Sequence, residues 1–216
     1  MESLIGNESN SGKSGKPKTI NVRGVEIYKD WLPVSIQHAL VQKIRLIVAD
    51  APLFSPETRF GKPMSVGMTS AGKYGWFSDR TGYRYVELHP NGVVWPPIPE
   101  EILKVWHDVT GLEREPDCCL VNFYGEGARM GLHQDRDEAD FSWPVVSISL
   151  GDDALFRIGN VDRGGKTESI WLQSGDVAVM SGTARLKHHG IDRIRFRSSQ
   201  LLAGGGRINL TLRVVD

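Results

Sequence analysis

PVVSISLGDDALFRI, residues 144–158, consists of two short apolar runs broken by Gly151-Asp152-Asp153. Each run is too short for a globular helix. Val145, Val146, Ile148, Phe156 and Ile158 are types that favour strands, and Gly-Asp between apolar runs marks a turn. The same pattern recurs outward in CLVNFY (119–124), ESIWL (168–172), DVAVMS (176–181) and RINLTLRVV (207–215). No amphipathic stretch of helix length separates these runs. Parallel βαβ winding is therefore disfavoured, and an antiparallel barrel or jelly roll is expected. Two helices are expected upstream. One spans 36–49, with Ile36, Leu40, Ile44 and Ile47 at helical spacing and Ser35 as N-cap; the other runs from Glu100 to Thr110. In the second, Ile102, Leu103, Trp106 and Val109 form the stripe, Pro99 opens the helix and Gly111 closes it. The fold class is mainly β with flanking helices, without internal repeats.

The chain has 216 residues, of which 40% are hydrophobic, enough for one domain with a real core. No apolar run reaches membrane-spanning length, and the N-terminus lacks the apolar stretch of a signal peptide. Cys118 and Cys119 are adjacent inside an apolar run, which is neither a disulfide framework nor a CxxC site. A reducing, cytoplasmic setting and no membrane partner are expected. The first 18 to 20 residues, rich in Gly, Ser, Asn and Lys, read as a flexible tail. GNESNSGKS (6–14) imitates a phosphate-binding loop but is one residue too long and follows no strand. Formal net charge is zero, which excludes a basic coat over the whole surface. Yet Ser181–Asp216 holds seven Lys/Arg against two Asp, either a solvated basic face or a patch that tracks phosphates.

His133 and Asp135 are two apart, so in an extended chain they share a face and can converge on a divalent metal. H-x-D alone is common by chance. Of the other histidines, His38 and His107 fall on the expected helices and His89 in a loop. The pair His188–His189 follows a strand and precedes Gly190, where a barrel mouth would lie. Two His and one Asp leave three open positions on an octahedral metal, as non-haem Fe(II) oxygen chemistry requires. In the last strand, Arg207, Asn209, Thr211 and Arg213 share one face, while Ile208, Leu210, Leu212 and Val214 share the other. Asn122 and Tyr124 pair likewise against Val121 and Phe123. An iron beside an arginine-lined slot suits a dicarboxylic keto acid: the keto-carboxylate on the metal, the far carboxylate on a guanidinium.

With these residues in hand, the chain resembles the AlkB family of Fe(II)/2-oxoglutarate dioxygenases, demethylases of alkylated nucleic-acid bases. The matching stretches are CLVNFYGEGARMGLHQDRDE (119–138), PVVSISLGDDALFRIG (144–159), SGDVAVMSGTARLKHHGI (174–191) and RINLTLR (207–213). MSVGMTSAGKYGW (64–76) and TGYRY (81–85) resemble the family's nucleotide-recognition region. The resemblance implies a double-stranded β-helix, a jelly roll, in a single domain from 21 to 216. Its nucleotide-recognition region would lie at about 60–90 and its catalytic core at about 115–216. It implies His133, Asp135 and His189 as iron ligands, the second His of the pair being chosen because it precedes Gly190-Ile191. Arg213 would meet the distal carboxylate of 2-oxoglutarate, with Arg207, Asn209, Asn122 and Tyr124 completing that site. Trp76 would stack on the flipped-out base, Tyr83 and Tyr85 would lie near the flanking phosphate, and Asp137 and Arg163 would line the base pocket. Met180 departs from the Trp that relatives can carry near the metal.

The implied activity is oxidative demethylation of bases such as 1-methyladenine and 3-methylcytosine. It would use Fe(II), 2-oxoglutarate and O2, in single- or double-stranded DNA with RNA as a second target, by a monomer. Such bases are cationic, so the carboxylate of Asp137 and an aromatic face would select them over undamaged bases. Glu138 and Asp140 are expected to face solvent. The alternatives are a same-fold oxygenase acting on tRNA, protein or lipid, and a non-catalytic jelly-roll binding module. A zinc hydrolase is disfavoured, because no spare Glu is spaced to act as general base.

Overall fold

The computed structural model describes residues 18–58 and 60–216; the loop-like motif at 6–14 and most of the expected tail lie outside them. The strands are β1 (Lys18–Val22), β2 (Val25–Lys29), β3 (Val66–Gly72), β4 (Gly75–Asp79), β5 (Gly82–Val86), β6 (Cys118–Tyr124), β7 (Met130–His133), β8 (Val145–Gly151), β9 (Asp153–Ile158), β10 (Glu168–Leu172), β11 (Val177–Met180), β12 (His189–Arg195) and β13 (Arg207–Arg213). Two α-helices, α1 (Val34–Asp50) and α2 (Glu100–Thr110), precede β3 and β6 respectively. Strand β1 takes in residues 18–20, so ordered structure begins inside the stretch expected as a tail.

All pairings are antiparallel. A seven-stranded sheet has the order β1-β2-β11-β8-β13-β6-β3, and a four-stranded sheet the order β10-β9-β12-β7. The inner faces of these sheets meet in one apolar cluster that includes Val25, Met68, Leu120, Phe156, Ile158 and Met180. The outer face of the large sheet is covered by α1 and α2, whose Leu40, Ile44, Ile102 and Trp106 pack on Val121, Ile148, Leu210 and Leu212. This is the expected jelly roll. Its central strands β8 and β13 are buried along their whole length because helices cover one face and the small sheet the other. The alternation read from the last strand therefore divides two interiors: Ile208, Leu210 and Leu212 face the helices, and Arg207, Asn209, Thr211 and Arg213 face the space between the sheets.

Helix α2 begins and ends as expected, with Pro99 at the N-cap and Gly111 in the left-handed region at φ 67°. Helix α1 differs. Pro33 rather than Ser35 stands at its N-cap, and no side chain caps it. Ile36 is 41% exposed, and the buried stripe runs through Gln37, Leu40, Val41, Ile44 and Ile47. Gln37 tolerates burial because its amide donates to the Leu32 carbonyl at 2.7 Å and accepts from Ser174 Oγ at 2.6 Å.

A separate hairpin, β4-β5, carries Trp76 opposite Tyr85 and Ser78 opposite Tyr83. Gly75 fixes where it sits: a Cβ there would come within 2.2 Å of the Trp95 ring, whose Nε1 donates to the Val86 carbonyl. Only glycine admits that contact.

Candidate active site

In the small sheet, β12 pairs with β7 so that His189 stands directly across from His133. Their ring centroids are 4.6 Å apart. Gly190 makes this register possible, since a Cβ there would lie 2.6 Å from the Met130 carbonyl oxygen and 2.7 Å from that of Gly131. Asp135 follows the end of β7. Its Oδ1 lies 3.7 Å from His133 Nε2, its Oδ2 lies 3.6 Å from His189 Nε2, and the three ligating atoms are all within 4.8 Å of one another.

Several features fit these groups to a divalent metal. His133 Nδ1 is 2.9 Å from the Gly131 carbonyl and His189 Nδ1 is 3.0 Å from that of Lys187, which fixes each ring with Nε2 inward. Loss of water around the ring, and then the neighbouring His189, lower His133 to about 4, so it is neutral with a free lone pair at pH 7. Burial alone would raise Asp135, but Arg213 and the two imidazoles outweigh it and hold the carboxyl well below its usual range. Asp135 Oδ2 is buried without a hydrogen-bond partner. A buried carboxylate oxygen left unpaired among two inward Nε2 atoms is a ligand set, and three donors on one side leave the opposite side open for other ligands.

The sequence reading needs correction at Glu138. It is fully buried: Arg185 Nη2 donates to its Oε2 at 3.0 Å and Tyr85 Oη to its Oε1 at 2.6 Å. Arg185 also donates to the Asp135 carbonyl at 2.6 Å and the Trp143 carbonyl at 2.9 Å. The partners that make burial tolerable come from 47 to 53 positions away, which no local pattern reveals. Asp140 does face solvent, where it accepts from the backbone and hydroxyl of Ser142.

Arg213 lines the cavity beside the His133–Asp135–His189 cluster and makes several contacts within the protein. Its Nη2 donates to Asp135 Oδ1 at 2.8 Å, its Nη1 to Tyr85 Oη at 2.9 Å, and its Nε lies 3.5 Å from Glu138 Oε1. Two arms of this fork are thus engaged within the protein, while Nε has no hydrogen-bond partner among the described residues. Arg207, at the other end of β13, is the reverse. It is 1% exposed, yet its Nε and Nη1 have no acceptor among the described residues; only Nη2 is engaged, donating to Ser149 Oγ at 3.1 Å. Asn122 Oδ1 is orphaned as well. Asn209 lies between, donating to Ser147 Oγ at 2.7 Å and accepting from Thr211. Tyr124 closes this side, 5.3 Å from the Arg207 guanidinium. A cavity of about 270 Å³ joins Arg207, Asn122 and Asn209 to the His133–Asp135–His189 cluster.

The same cavity opens past the hairpin. Trp76 stacks on Tyr83, centroids 5.4 Å apart at 22°, and its Nε1 donates to Asp137 Oδ2 at 3.2 Å. Trp76, Tyr83 and Asp137 all line the cavity. Tyr85 does not reach outward; its hydroxyl is turned inward onto Glu138 and Arg213. Arg163 is exposed on the loop after β9, outside the cavity wall. Met180 is buried and lines the cavity as an apolar surface. The basic excess in 181–216 does not form one face. Arg185, Arg207 and Arg213 are buried, while Arg193 and Arg195 pair with Asp192 and Asp153.

A profile of the 2OG-Fe(II) oxygenase superfamily matches residues 24–213. An "Alpha-ketoglutarate-dependent dioxygenase AlkB homolog" from Caulobacter vibrioides is 53% identical over 199 residues, covering 92% of this chain and 90% of that one. The chain belongs to the AlkB family of Fe(II)/2-oxoglutarate dioxygenases. The "Alpha-ketoglutarate-dependent dioxygenase AlkB" of Escherichia coli K12 is 35% identical over 179 residues, covering 81% of this chain and 82% of that one. Among solved structures, OsALKBH1 superposes with a TM-score of 0.78 at 32% identity, covering 90% of this chain and all of that one. The His133–Asp135–His189 cluster fits the Fe(II) and 2-oxoglutarate dependence of this family. Among the described residues, no helix is long and apolar enough to cross a membrane.

Proposed function

We propose that this AlkB-family dioxygenase removes methyl groups from ring nitrogens of nucleic-acid bases. The observation that carries the reading is the Trp76–Tyr83 stack with Asp137 on its indole, at the mouth of the cavity that leads to the His133–Asp135–His189 cluster. An aromatic face beside a carboxylate attracts a flat cation. Bases methylated at a ring nitrogen, such as 1-methyladenine and 3-methylcytosine, are flat cations, and undamaged bases are neutral. A base reaching this platform must leave its helical stack, which is easiest in single strands or at damaged pairs.

In this reading His133, Asp135 and His189 hold the iron. Bound iron and 2-oxoglutarate together supply the oxidation of the N-methyl group by O2, yielding succinate and carbon dioxide. The hydroxymethyl product then releases formaldehyde and the unmodified base. Arg207, rather than Arg213, receives the far carboxylate of 2-oxoglutarate, because its buried donors lack acceptors. Asn122, Tyr124 and Asn209 shape the rest of that slot. Trp76 and Tyr83 hold the base, and Asp137 both orients Trp76 and faces the cation.

The relatives' names support nucleic acid without choosing its kind. A DNA N(6)-methyladenine demethylase of Arabidopsis thaliana is 30% identical over 241 residues, and a tRNA demethylase of Schizosaccharomyces pombe is 30% identical over 139. A cytoplasmic setting agrees with two buried free thiols, Cys118 and Cys119, whose pKa values burial pushes up, keeping them protonated and unreactive.

The deciding experiment is mass spectrometry of matched DNA and RNA oligonucleotides carrying one 3-methylcytosine, incubated with protein, Fe(II), ascorbate and 2-oxoglutarate. Loss of the methyl group with equimolar succinate is expected. Succinate without demethylation of either strand would discard the base substrate while leaving the oxygenase intact.

A further inference from the structure

Tyr85 stands opposite Trp76 on the hairpin, yet its hydroxyl joins the ligand side of the molecule rather than solvent. It donates to Glu138 and accepts from Arg213 Nη1, and Arg213 Nη2 donates in turn to Asp135 Oδ1. Three hydrogen bonds thus run between Glu138, the hairpin and the metal carboxylate.

The geometry of this joint has a direct chemical consequence. A free guanidinium beside a carboxylate tends to pair with it bidentately, engaging both oxygens. Here Tyr85 holds Nη1, so Arg213 reaches Asp135 with one nitrogen only. Oδ2 is left buried, unpaired and 3.6 Å from His189 Nε2, in the position of a ligand. Glu138 completes the restraint by drawing Arg213 Nε and by orienting the Tyr85 hydroxyl. Arg185 neutralises Glu138 and holds the Asp135 backbone, so the quartet of Asp135, Arg213, Glu138 and Arg185 is balanced in charge.

We propose that Tyr85 is a positioning residue of the metal centre: by retaining one arm of Arg213 it reserves Asp135 Oδ2 for the metal, and it ties the hairpin bearing the base platform to that carboxylate. The role differs from contact with nucleic acid, and it concerns metal binding in the absence of any nucleotide.

The test titrates metal-free protein with Co(II), a spectroscopic stand-in for Fe(II), without 2-oxoglutarate or oligonucleotide. Tyr85→Phe is expected to weaken Co(II) binding by about 10-fold or more and to change the visible absorption bands, the scale of lost second-layer contacts at metal sites. Thr81→Ala breaks the side-chain contacts of Thr81 with Asp79 and Arg84 at the hairpin turn but leaves the Tyr85 hydroxyl. It is expected to bind Co(II) as the wild type does. Arg213→Lys keeps the charge and loses the fork; added to it, Tyr85→Phe is expected to have no further effect, because Tyr85 acts through Arg213. Wild-type affinity and spectrum in Tyr85→Phe would overturn the proposal. So would an equal loss in Thr81→Ala, which would mark a general effect of hairpin stability, or independent multiplication of the Tyr85 and Arg213 losses.

Discussion

The two ends of β13 carry the same residue on the same face, six positions apart, and they are in opposite states. At Arg213 the guanidinium is surrounded by Asp135, Glu138 and Tyr85. At Arg207 an equally buried guanidinium donates to Ser149 and lies over the Tyr124 ring, and two of its nitrogens have no hydrogen-bond partner among the described residues. A buried charge without a counter-charge costs several kcal/mol, a cost that a bound anionic ligand would offset. A guanidinium paired with carboxylates is held by the scaffold; one with unused buried donors has room to receive an anionic ligand. The pattern of residue types along the strand is identical in both cases, and only the partners separate them.

The sharpest break of this comparison is Arg213→Ala. It strands Asp135 and Glu138 as buried carboxylates, with Arg185 the one counter-charge left beside them, and should cost about 3–5 kcal/mol. That corresponds to roughly 6–20 °C in Tm for a chain of this size, read by thermal unfolding. A loss confined to 2-oxoglutarate affinity would return Arg213 to the ligand slot.

Arg207→Ala should not lower the Tm as Arg213→Ala does, since no carboxylate depends on it and an uncompensated buried charge is removed. It should raise the KM for 2-oxoglutarate roughly 10- to 100-fold, the range of a lost charged hydrogen-bond pair. The two ends also separate in a ligand-protection experiment. In the presence of Co(II), saturating 2-oxoglutarate should raise the wild-type Tm further by mass action, and this further increment should shrink in Arg207→Ala at the same concentration. An undiminished increment would assign the far carboxylate elsewhere.

On the hairpin, Trp76→Ala should raise the KM for a methylated oligonucleotide by about 5- to 100-fold through lost base stacking. Succinate formed without oligonucleotide should not change. The smallest effect belongs to Asp140→Asn. Asp140 lies two residues from Glu138 but in solvent, so stability should stay within about 0.5 kcal/mol and turnover unchanged. A large loss there would mean that the acidic segment acts as a unit.

Much of this molecule was legible in its residues. The short β-branched runs announced an antiparallel jelly roll, and period-two alternation in 207–215 separated the helix-packed face from the polar one. His133 and Asp135 share a side by their spacing, whereas the choice of His189 over His188 rests on the resemblance; the ligating atoms of the three lie within 4.8 Å of one another. Helix α1 was misread at its start because Ile36 and Ser35 looked apolar and capping, whereas Pro33 sets the start and Gln37 takes the buried position through bonds to Leu32 and Ser174. The resemblance places Tyr85 with Tyr83 near a flanking phosphate; in the fold its hydroxyl turns inward onto Glu138, 53 positions on.

What the sequence determined by itself was local: which segments extend, which faces alternate, and which side chains can bind a metal. These properties depend on dihedral preference and on spacing along a few residues. What only the tertiary structure decided was whether each charged group is paired. Arg213 meets Tyr85 across 128 positions and Asp135 across 78, whereas Arg207, among the described residues, donates to the neutral Ser149. The pairing of a charge depends on what the fold brings within about 3 Å of it, and local sequence holds no record of that distance.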